Sequence, residues 1–177
     1  MIDDSSFQAG EVDIDVARAG LLAAILERVG YTLWQLAECE DTAAHFLVVR
    51  AYATRGMGRE PGEALLAKAQ GRTFGSLLSE LRQKGIVEGD LEIRLNALLE
   101  ERNWLVHRSK RDNRGVLNDL NSVDILVARL AKIADEATAL NSELGAQIET
   151  FVIESGVDPE TIDQEARQLA ESWGYYL

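Results

Sequence analysis

Residues 118–155 read NDLNSVDILVARLAKIADEATALNSELGAQIETFVIES. Within them Val123, Leu126, Leu130, Ile133, Ala137, Leu140, Leu144, Ile148 and Phe151 recur at intervals of three and four. On a helix of about 3.6 residues per turn that spacing draws one apolar stripe. No alternating apolar and polar run interrupts it, so the stretch is expected to form a single helix from about Asn118 to Ser155. At about 1.5 Å per residue such a helix is longer than about 45 Å. A domain of this size does not require that length, and the far end is expected to pack on something else, such as a second subunit.

The rest of the chain has the same character. Ala, Leu, Glu, Arg and Gln dominate, and both prolines, Pro61 and Pro159, stand where a helix would begin. The spacing predicts a first helix from Asp13 to Val29, ended by Gly30, and a second from Thr32 to about Thr54. The second carries Leu33, Leu36, Ala37, Ala44, Leu47, Val48 and Ala51 as its apolar positions. Gly56-Met57-Gly58 breaks the chain, and a short third helix covers Gly62 to Gln70. Thr73 caps a fourth that ends at Gly85, and Asp90 caps a fifth that runs to about His107. After the sixth, the long helix quoted above, Asp158-Pro159 opens a terminal helix ending near Trp173. The expected fold class is all-α: an up-and-down helical bundle, with antiparallel neighbours joined by short connections. The 177 residues suit one domain, with a bundle core at about 13–155 and a C-terminal helical extension at about 156–177.

Composition excludes several classes. A lone Cys39 cannot close an intrachain disulfide, and Cys39, His45 and His107 cannot supply a Cys/His zinc module. Met1-Ile2-Asp3-Asp4 shows no basic n-region, so no signal peptide is expected. The longest apolar run, Leu21 to Leu26, is too short to cross a bilayer of about 30 Å. A cytoplasmic protein with no membrane partner is the expectation. The net charge of −12 argues against nonspecific coating of nucleic acid but leaves room for a local basic site.

That site falls at the end of the fifth helix, in Glu100-Glu101-Arg102-Asn103-Trp104-Leu105-Val106-His107-Arg108-Ser109-Lys110-Arg111. On an ideal wheel with Leu91 at zero, Arg102 lies at about 20°, within the stripe of Leu95, Leu98, Leu99, Leu105 and Val106. A guanidinium there must pair or face a cleft. Asn103 and His107, four apart, share a face at about 120° and 160°. From Arg102 to Arg114 five cations stand against Asp112 alone, a net of +4, which leaves −16 on the rest of the chain. A basic island in an acidic protein, beside one of its two histidines, is an anion-site candidate. Glu38 and Asp41, which share a helix face with His45, are the candidate carboxylates for Arg102.

Arg102-Asn103-x-x-x-His107, following Leu-Leu-Glu-Glu at the end of a bundle helix, resembles the R-x4-6-H motif of HEPN domains, in the form with Asn after the Arg. The resemblance implies a four- or five-helix bundle over about Asp13 to Ser155. It implies a homodimer whose two motifs face a shared cleft. It also implies a metal-independent endoribonuclease, of the kind found as toxins with a cognate antitoxin or as phage-defence effectors. RNA is then the substrate and no cofactor is required. Catalysis would rest on Arg102, Asn103 and His107, with Arg108, Lys110, Arg111 and Arg114 on flanking phosphates. Attack by the 2′-OH would leave a 2′,3′-cyclic phosphate, with His107 as general acid/base and Arg102 against the phosphorus charge.

Plainer readings stand beside these. Arg102 suits a structural ion pair, and His107 suits a helix C-terminus, where the macrodipole favours a cation. Residues 108–114 suit a solvated basic turn. The whole suits a non-catalytic dimeric interaction or nucleotide-binding module. Glu38, Asp41 and His45 make a thin metal set without a second contributing helix. Gly56-x-Gly58-x-x-x-Gly62 reads as a loop, Cys39 as core, and Trp34, Trp104 and Trp173 as packing.

Overall fold

The computed structural model describes residues 5–172 and Gly174, with side chains from Asp15. Every regular element among them is helical. They are α1 (Ser5–Ala51), α2 (Arg59–Gln70), α3 (Phe74–Gln83), α4 (Gly89–His107), the single turn α5 (Ser109–Asp112), α6 (Leu120–Glu154) and α7 (Pro159–Ser172). A 3₁₀ turn, Val116–Asn118, leads into α6.

The bundle rests on α1 and α6. The hydroxyl of Thr32 donates to the Arg28 carbonyl at 2.8 Å and lies 3.2 Å from the Leu130 carbonyl. Thr138 Oγ1 lies 3.0 Å from Gln35 Oε1, and the Arg50 guanidinium sits 5.0 Å from the Phe151 ring centre. Partners on both helices advance together, so α1 and α6 run parallel. The stripe read from the sequence is the buried face of α6: Val123, Leu126, Leu130, Ile133, Ala137, Leu140 and Leu144 are all buried. It meets Ile25, Leu36, Cys39, Ala43, Phe46 and Leu47 of α1. Burying one such leucine contributes about 2 kcal/mol.

The predicted break at Gly30 does not occur. A glycine inside a helix costs only about 1 kcal/mol relative to alanine. Buried residues of α1 on both sides of it, Ile25 and Leu36, pack into one core with α6, and that burial outweighs the local penalty. One 47-residue helix therefore replaces an antiparallel pair. Of the apolar positions assigned to the second helix, Leu33 and Ala37 face solvent.

Smaller differences concern helix ends. Thr73 caps α3 as expected, accepting from Ser76 N at 3.3 Å. The last helical residue of α3 is Gln83, with Gly85 beyond it at φ 62, a conformation open to glycine. The N-cap of α4 is Glu88 rather than Asp90, which lies inside the first turn. Asp119 caps α6, accepting from Asn121 N and Ser122 N. α2 starts at Arg59, before Pro61, because proline is tolerated in a first turn. The predicted end of the last helix at Trp173 lies outside the described residues.

α4 returns antiparallel to α1 and α6, held by arginine–glutamate ties. Arg94 pairs with Glu136 and Glu143 of α6 at 2.7 Å each. Arg129 of α6 pairs with Glu101 at 2.8 Å. At the other end of the bundle, Glu80 of α3 binds the Tyr52 hydroxyl and Arg72. Among the described residues no helix is long and apolar enough to cross a membrane.

The candidate anion site at the end of α4

The last turns of α4 set each side chain of the Arg-Asn-x-x-x-His segment in a different environment. Trp104 and Leu105 are buried. The Trp104 ring stacks under Arg129, whose guanidinium lies 3.4 Å from its centre, and Trp104 Nε1 donates to Asp112 Oδ2 at 3.2 Å. Trp104 is thus packing, as expected, and within its own chain, against Arg129 of α6. Trp34, also assigned to packing, is 68% exposed on α1. Trp173 lies outside the described residues.

Arg102 points to α1. Its Nε donates to Glu40 Oε1 at 2.9 Å, with both side chains about one-quarter exposed. The predicted partners Glu38 and Asp41 are solvent-facing instead. The wheel carried a signal for Glu40. It lies four residues after Leu36, three before Ala43 and seven before Leu47, on the margin of the buried stripe.

Asn103 and His107 lie on the outer side of α4, as their spacing predicts. Asn103 is half-buried and His107 exposed in the last turn. Arg102 faces the opposite way, so one chain does not place Arg102 and His107 side chains together. The basic segment that follows is no open turn. It winds into α5, fastened by Asn113 Nδ2 to the Ser109 carbonyl at 2.7 Å and by Ser109 Oγ to the Leu105 carbonyl at 2.5 Å. Arg108, Lys110, Arg111 and Arg114 are all exposed. Arg111 pairs with its neighbour Asp112 at 3.2 Å, whereas Arg108, Lys110 and Arg114 form no ion pair among the described residues.

Beside these cations opens an apolar cleft of about 530 Å³. Leu22, Ile25, Leu26 and Val29 of α1 form one wall, Leu105, Val116, Leu117 and Leu126 the other. Lys110 and Arg114 stand on its rim. Spacing along one helix carries no signal for this cleft, because its two walls come from segments far apart in the sequence.

Cys39 is fully buried, and burial first, then the nearby Glu40 and Glu136 carboxylates, push its thiol up to about 12. That makes it inert as a nucleophile. Glu38, Asp41 and His45 are exposed, and no cluster of three metal-ligating side chains occurs among the described residues. No family model matches the chain, and neither curated proteins nor solved structures give a significant match.

Proposed function

We propose that the chain is a cytoplasmic, metal-independent endoribonuclease of HEPN type, acting as a toxin or defence component, with its site on the outer face at the end of α4. One observation carries this reading: an exposed histidine closes α4 directly ahead of three cations that have no carboxylate partner among the described residues. In this reading Arg108, Lys110 and Arg114 hold RNA phosphates. His107 takes the proton of a 2′-OH, the oxygen attacks phosphorus, and the 5′-oxygen departs and takes a proton from water. The product is a 2′,3′-cyclic phosphate. Asn103, four residues back on the same face, positions the imidazole or a phosphate oxygen. Arg102, held through its Nε by Glu40 and turned away from His107, positions the end of α4 in this reading rather than reaching the phosphorus.

The test is cleavage of mixed RNAs by purified protein in EDTA, beside folded His107→Ala and Arg102→Ala prepared in the same way. Cleavage that survives chelation, leaves cyclic-phosphate ends and drops by about 10²-fold or more in His107→Ala is expected. Equal cleavage by wild type and His107→Ala would sink the assignment.

A second reading has its own support. Arg102 is engaged by Glu40 and turned away from His107, as a structural arginine would be. The chain is then a non-catalytic interaction or nucleotide-binding module. Growth arrest on overexpression that His107→Ala relieves favours the enzyme, and arrest unchanged by that substitution favours the module.

A further inference from the structure

Among the described residues two surfaces lack a partner, and they match. The first is the cleft beside the basic segment, floored by Leu22, Leu26, Leu117 and Leu126 and rimmed by Lys110 and Arg114. The second is α7, which buries none of its residues. Ile162, Ala166 and Leu169 recur along α7 at intervals of four and three, making one apolar stripe. Asp163 and Glu165 flank that stripe on either side, and over the whole helix four carboxylates stand against Arg167 alone. Arg59 at the start of α2 lies near it, its guanidinium pKa raised first by Glu63 and further by Glu165 of α7.

The two surfaces cannot meet within one chain. Leu126 lies 28 residues before Glu154, so the cleft is about 42 Å along α6 from the point where α7 departs. Residues 155–158 span at most about 14 Å, and α7 itself is about 21 Å long. Folded straight back, α7 ends short of the cleft.

We propose that α7 of one copy docks in the cleft of a second copy, apolar stripe on apolar floor, with Asp163 and Glu165 against Lys110 and Arg114. Reciprocal exchange across a two-fold axis fills both clefts at once. The pair sets its α6 helices antiparallel and its two Arg-Asn-x-x-x-His segments at opposite ends. It is therefore a different pairing from one in which the motifs face each other. It does not depend on His107 being catalytic.

Two charge-reversed full-length proteins test it by light scattering after size exclusion at micromolar concentration, with helix content checked by circular dichroism. One carries Lys110→Glu with Arg114→Glu, the other Asp163→Lys with Glu165→Lys; all four side chains are exposed. The wild type is expected at twice the chain mass and each variant alone at the chain mass. The equimolar mixture is expected to return to twice that mass, because each reversed surface then meets its complement. A monomeric wild type, variants that stay dimeric, or a mixture that stays monomeric would each overturn the exchange. Dimers that persist in both variants would point to another face, the motif-facing pair among them.

Discussion

Arg102 on α4 and Glu40 on α1, 62 residues apart, meet through a single Nε–Oε1 hydrogen bond of 2.9 Å at the edge of the core. The pair ties the helix that ends in His107 to the longest helix of the bundle and fixes the plane of the guanidinium. Glu40→Gln leaves a part-buried cation with a neutral partner. A loss of about 1–2 kcal/mol is expected in urea unfolding, between the ranges for exposed and buried pairs. Cleavage by this variant should fall while Glu38→Gln and Asp41→Asn, both on the solvent side, stay near wild type. Equal effects from all three would remove the special role of Glu40.

Trp104 links α6 to α5 through Arg129 on one side and Asp112 on the other. Trp104→Phe keeps most of the ring but loses the donor to Asp112. A decrease of about 1 kcal/mol in stability is expected. Amide exchange should accelerate at residues 109–113 first, and protection there equal to wild type would show that α5 holds itself.

A Cβ added at Gly30 meets nothing within 4 Å. Because the residue lies in the middle of α1, Gly30→Ala is expected to raise stability by about 0.5–1 kcal/mol. A lower melting temperature would mean that α1 needs glycine at this position.

The Cys39 thiol, pushed up to about 12 by burial, stays protonated from neutral to mildly alkaline pH. A thiol reagent should leave the native protein unlabelled from neutral to mildly alkaline pH and label it fully in denaturant. Native labelling that rises between those pH values would show an accessible thiolate.

The Tyr52 hydroxyl, then Arg72, hold the Glu80 carboxyl below its ordinary range. The folded state therefore gives up this proton more readily than the unfolded chain. The stability so gained is present above the ordinary carboxylate range and is lost as pH falls through the lowered pKa. Glu80→Gln should make the melting temperature less sensitive to acid than in wild type. Parallel acid profiles for the two proteins would assign the sensitivity elsewhere.

Much of this was legible from spacing alone. The stripe from Val123 to Leu144 is buried as read, because a helix that long leaves few other ways to hide it. Asn103 and His107 share a face for the same geometric reason. What spacing could not supply was competition between local and distant terms. Gly30 carries a local stop signal, yet burial on both sides of it carries the helix through. Glu38 and Asp41 attract attention by lying with His45, but a cation on another helix selects the carboxylate nearest the core, which is Glu40. The cleft was invisible, since its walls come from segments about 80 residues or more apart, among them Leu26, Leu105 and Leu126.

The parallel α1 and α6 also order events in time. Thr32 and Leu130 are separated by 98 residues, so the ribosome completes α1 long before its cover exists. At roughly 5–20 residues per second, that interval is about 5–20 seconds. During it Phe46, Leu47 and their neighbours on α1 lack the surface that finally hides them. The nascent chain must be guarded then, by α2 to α4 as they emerge or by a chaperone, and truncations ending before α6 should aggregate where the full chain does not.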